Sequence, residues 1–159
     1  MIKSPLAAFG LAFSLVTVGI SGVALAAGTE TVEPAPAAAD YYAAGKAAVD
    51  AKDYRTAIRH LTAAVEADPN SADAENLLGF SNRKLGNYDE ARKHYWRALE
   101  LDPDHRGAHE YLGEAFLELK QLEKAEGRLV ELRRVCPTGC EELDELKAAI
   151  DAYKAANPG

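Results

Sequence analysis

The sequence is poor in cysteine, with 2 in 159 residues, and its 12 glycines and 7 prolines are too few for a collagen-like chain. These shortages exclude a disulfide-dense scaffold and a fibrous protein. Basic residues are the minority charge, 18 against 25 acidic, for a net charge of -7. Nucleic acid and anionic lipid surfaces are held by basic patches, so neither is expected as a main partner. Signatures of catalysis are also missing: there is no glycine-rich phosphate loop, no Gly-x-Ser-x-Gly and no His-Glu-x-x-His. What is present is ordinary globular composition, 48% hydrophobic and 27% charged, which rules out wholesale disorder. The expectation is a protein without catalysis, cofactor or small-molecule substrate.

Charge is absent from Ser4 to Thr29. Lys3 precedes this gap, an apolar run fills Leu6 to Ile20, and Ala24, Leu25 and Ala26 end it with a small-x-small pattern. A basic start, apolar middle and Ala-x-Ala exit read as a secretory signal peptide over residues 1–26, cleaved after Ala26 or, alternatively, after Ala27. The run is also long enough to span a bilayer, so an uncleaved membrane anchor is the alternative. No cysteine follows it, which excludes lipoprotein-type acylation. Cleavage would leave 133 residues and, with Lys3 the one charged group lost, move the net charge from -7 to -8. The expected location is periplasmic or secreted, in the envelope of a Gram-negative bacterium, where paired thiols tend to be oxidised. Residues 27–37, in an Ala- and Pro-rich stretch, read as a flexible linker.

A period of 34 residues organises the rest. Gly45, Gly79 and Gly113 keep that spacing, as do Ala57, Ala91 and Ala125, and Pro69, Pro103 and Pro137. Two helices pack closely only where one offers a small side chain at the crossing, which Gly and Ala supply. Turn-forming Asp53, Gly86, Asn87 and Gln121 separate two helices within each period. The prolines stop the second helix of each. Apolar residues follow helical spacing, for example Ala57, Leu61, Ala64 and Val65. No stretch alternates for long, so no sheet is expected. After the third period, Leu143, Leu146, Ile150 and Tyr153 lie on one helical face, predicting a capping helix over 141–156 with Thr138 and Glu141 as its capping box.

In these residues the chain resembles the tetratricopeptide repeat family, with a small residue at position 8, Ala at 20 and Pro at 32 of repeats 38–71, 72–105 and 106–139. It departs at position 4, where the family's Trp is Tyr41, Glu75 and His109, and at position 11, where Tyr is replaced by Ala48, Asn82 and Phe116. The resemblance implies an all-α helix-turn-helix solenoid over 38–159, three repeats plus a cap, that binds protein or peptide on its concave side. It also implies which side chains face that groove. In repeat one they are Tyr42, Lys46, Val49 and Asp50; in repeat two, Asp73, Asn76, Phe80, Arg83 and Lys84; in repeat three, Glu110, Glu114, Leu117 and Glu118. Tyr42 and Phe80 could anchor a guest, and Lys46, Asn76 and Arg83 resemble part of a carboxylate clamp. The groove is expected to be basic in its first two repeats and acidic in its third.

Cys136 and Cys140 stand at the junction with the capping helix. A structural disulfide, a redox-active pair, and unpaired or intermolecular thiols are the readings open to them. The chain-entropy estimate for so short a loop is only about 2 kcal/mol. Glu141 and Glu142 beside Cys140 disfavour a thiolate. His105 and His109 have metal-compatible spacing, but His105 falls in a turn, so packing or solvation is expected instead of a metal. His60 and His94 share a repeat position and are expected on one exposed face. The functional expectation is a peptide-binding scaffold, with thiol-disulfide exchange or self-assembly as alternatives. Mass spectrometry of the exported chain should find an N-terminus at Ala27 or Gly28; an N-terminus at Met1 would establish the anchor instead.

Overall fold

A computed structural model describes residues 37–158, and these contain seven helices and no strand. The leader and nearly all of the linker lie outside the described residues. The helices are α1 (Ala38–Asp50), α2 (Tyr54–Ala67), α3 (Ala72–Lys84), α4 (Tyr88–Leu101), α5 (Arg106–Glu118), α6 (Leu122–Val135) and α7 (Glu141–Ala156). Consecutive pairs form hairpins, and α3 and α5 pack mainly on the second helix of the preceding hairpin. None of the described helices is long and apolar enough to cross a membrane.

The hairpin turn is the same three times. In the first, Asp53 N–H bonds Ala48 C=O at 2.9 Å and Lys52 N–H bonds Val49 C=O at 2.8 Å. This crossed pair is the Schellman arrangement, and it demands a left-handed residue just past the helix end. That residue is Lys52 (φ 60°), Gly86 (φ 80°) or Lys120 (φ 58°). The second helices end before Pro69 and Pro103, where Asp68 and Asp102 each accept a 3.0 Å bond from the backbone two residues on. In the third copy Cys136 takes the place of the aspartate and is bonded to Cys140.

The core repeats with the turns. Ala57, Leu61, Ala74, Leu78, Ala91, Tyr95, Ala108, Leu112 and Ala125 are fully buried or nearly so. Each glycine at position 8 is a notch. A methyl on Gly45 would lie 2.6 Å from Leu61, and one on Gly79 would lie 2.5 Å from the Tyr95 ring. The third notch breaks the pattern: at Gly113 the nearest atoms are those of Leu146 on α7, 2.6 Å away. The capping helix therefore packs more on α5 than on α6. Thr138 is not its cap, a correction to the sequence expectation. Cys140 is the N-cap residue, without a side-chain bond, because the disulfide and the turn at Gly139 (φ 94°) set where α7 begins.

A left-handed backbone costs a side-chain-bearing residue on the order of 1 kcal/mol. Nothing lies within 4 Å of a methyl added at Gly86, so only backbone strain opposes it. Gly86→Ala should lower stability in urea unfolding by about 1 kcal/mol. Lys120→Gly should raise it by about 0.5 kcal/mol, the gain reduced by glycine's greater unfolded-state freedom.

Candidate functional site: a cleft lined by the first helices

The hairpin turns bring α1, α3 and α5 side by side, and their shared face holds a cavity of about 420 Å³. Lys46, Val49, Asp50 and Lys52 line it from the first helix and its turn, Tyr54 from the start of α2, Leu77 and Phe80 from α3, and Tyr111 from α5. Its floor is aromatic. Phe80 meets Tyr54 edge-on at 6.1 Å and Tyr111 at 4.9 Å between ring centroids. The three rings and Leu77 are half-buried, so apolar surface stays open to solvent. Lys84 Nζ lies 5.0 Å above Phe80. Burial, aided by Glu110 and Glu114, pushes the Tyr111 phenol up to about 12, so it remains a neutral hydrogen-bond donor.

Of the expected groove residues, Lys46, Val49 and Phe80 meet in this cleft. Tyr42 lines a separate cavity of about 210 Å³ with Ala38, Asp68 and Asp73. Asn76 is buried, with its Oδ1 unpartnered. Glu110 is 3% exposed beneath α7. Leu117 and Glu114 line a third cavity, of about 330 Å³, with Ala149 and Tyr153 of α7. Leu77, Tyr111 and Tyr54 escaped sequence reasoning. Leu77 and Tyr111 do stand 34 residues apart at position 6, a register signal that could have found them. Tyr54 is contributed by the hairpin turn and carries no comparable signal.

The expected charge polarity does not hold. Arg83 is 6% exposed and is no free cation of the groove. Its Nη2 donates to Glu114 at 2.5 Å and its Nη1 to Glu118 at 3.0 Å. Its guanidinium also stands 5.6 and 5.7 Å from the Phe80 and Tyr111 centroids. The base of repeat two and the acids of repeat three thus neutralise each other, because the repeat stagger sets their helices in contact. Lys46 is paired at 2.9 Å with Asp50, but both are exposed and screened.

The remaining candidates have other partners. His105 caps α5, its Nδ1 accepting from Ala108 N–H at 3.1 Å while Nε2 faces Asp73. His109 Nε2 lies 3.0 Å from the Pro103 carbonyl, and burial holds its pKa below the usual value. The two imidazoles therefore serve different neighbours. His94 is not merely exposed, since its Nδ1 is 2.7 Å from buried Glu75. The disulfided Cys136 is buried and Cys140 half-buried. Replacing Arg83 with Ala would strand Glu114 beside apolar rings. Arg83→Ala should cost about 3 kcal/mol in urea unfolding, and Arg83→Lys should recover only part of it, since an ammonium lacks the two-pronged fork.

Comparison with known proteins agrees with this geometry. Three solved structures illustrate it. The Arabidopsis OM64 TPR domain superposes with a TM-score of 0.69 at 17% identity, covering 76% of this chain and 97% of that one. The first TPR of Spaghetti (RPAP3), bound to HSP90 peptide SRMEEVD, gives 0.65 at 22%, covering 76% and 94%. The Yersinia enterocolitica type III secretion chaperone SycD, in complex with a peptide of the translocator YopD, gives 0.63 at 20%, covering 73% and 88%. No curated protein matches the chain. Sequence models of the tetratricopeptide repeat match residues 41–71 and 72–105, and α5 and α6 repeat the same hairpin and turn, so the chain belongs to the tetratricopeptide repeat family.

Proposed function

We propose that this protein is a non-catalytic scaffold of the bacterial envelope that holds a segment of another protein in the cleft between α1, α3 and α5. The cleft carries the reading: an aromatic floor of Tyr54, Phe80 and Tyr111 is left half-open at the meeting of three helices, with lysines on its rim. Half-buried aromatic rings beside mobile charges are how peptide grooves combine apolar anchoring with orientation. Two of the structurally similar repeat domains hold peptides, which supports the same use here. Location in the periplasm rests on the leader-like residues 1–26. Thiol-disulfide exchange at Cys136 and Cys140, and self-assembly through the cleft, are the rival uses.

Affinity capture from envelope extract by the chain lacking residues 1–26 tests the proposal. Phe80→Ala should weaken capture of the specific partner by about tenfold or more, while Val130→Ala, an exposed position on α6, should leave it unchanged. A double Cys136→Ser, Cys140→Ser chain should still capture it. Equal recovery by the Phe80 variant would remove the cleft as the site. Loss confined to the cysteine variant would favour thiol exchange, and capture of only the chain's own copies would favour assembly.

A further inference from the structure

Each first helix of a regular repeat stack lies mainly against the second helix before it, but α7 leans over α5 instead. Leu146 fills the Gly113 notch, and Leu143, Ala149 and Tyr153 pack around it. Glu110, a groove position of repeat three, is thereby sealed under α7 and hydrogen-bonded to Glu145. Two carboxyl groups can share such a bond only if one keeps its proton.

The surroundings offer Glu110 no cation. Glu114 on its own helix and Glu142 and Glu145 on α7 all bear on it with negative charge. Arg106 is turned to Glu142 at 3.6 Å. From α3, Arg83 is committed to Glu114 and Glu118, and Asp73 faces His105. From α6, Arg128 faces His109, and Glu126 binds Lys154 of α7. We propose that α7 is a proton-latched lid over the concave face of the third repeat, shut by the Glu110 carboxyl bonded to Glu145 and released when that proton is lost. Opening would lengthen the cleft from repeats one and two into repeat three, a consequence that rests on the groove reading above; the latch itself does not.

The sign follows from where the proton is held. Burial and the neighbouring acids push the docked Glu110 carboxyl up to about 9, against 4.5 when free. Undocking lets it ionise, so the open state binds fewer protons, and raising the pH favours opening. Between those two values the opening equilibrium rises about tenfold per pH unit. Acid closes the lid and mild alkali loosens it. The disulfide-closed loop at Cys136 and Cys140 keeps α7 tethered beside α5 throughout.

Amide exchange on the chain lacking residues 1–26 tests this, with protection corrected for intrinsic exchange chemistry. From pH 5.5 to 7.5, protection at Leu146 and Ile150 should fall about a hundredfold while Tyr95 in α4 holds steady. In Glu110→Gln, which keeps a neutral donor to Glu145, α7 protection should be flat over that range. A flat wild-type response, an undiminished slope in the variant, or an equal fall at Tyr95 would each overturn the latch. Should the variant not fold, carbon-detected titration of the wild-type Glu110 carboxyl decides: a protonated signal at pH 7 supports the latch, and ordinary titration near 4.5 overturns it.

Discussion

The arrangement depends on one steric constraint, the missing side chain at position 8. A methyl at Gly45, Gly79 or Gly113 would fall 2.5 to 2.6 Å from a buried neighbour, well inside contact distance. Without it, Leu61 and the Tyr95 ring lie directly on the opposing backbone, and the two helices of a hairpin approach closely enough to share one core. The spacing of the hairpins, the stagger of one repeat on the next and the width of the cleft all follow from that approach.

Once the stagger is set, electrostatics is constrained by it. Position 12 of repeat two falls against positions 9 and 13 of repeat three, so Arg83 meets Glu114 and Glu118. What is left to face a guest is chiefly apolar: the half-buried rings of Tyr54, Phe80 and Tyr111 with lysine stems around them. A cleft built this way draws its affinity from desolvated aromatic area and uses charge mainly for orientation.

The third repeat shows what the end of a stack requires. A last hairpin has no following first helix to cover it, and α7 supplies that cover. It does so by entering the Gly113 notch, at the cost of burying Glu110 under Glu145. A buried carboxyl without a cation keeps its proton, which couples the position of this helix to pH.

Much was legible from sequence because it is local and repeated. Gly, Ala and Pro at fixed intervals specify notches and stops, and helical periodicity specifies which face is buried; the three hairpins and the capping helix needed nothing else. Lys52 and Lys120 in the left-handed region were hidden, because only the recurring turn, not the residue type, demands that conformation. So were Tyr54 and Tyr111 in the cleft, the pairing of Arg83, and the seat of α7 on α5. Each of these depends on which side chains meet across helices distant in sequence, and periodicity says that a face is buried without saying against what. The order and kind of the elements were thus written in the chain itself, while the neighbours of each charge and ring, and so the character of the site, were decided only when the helices packed.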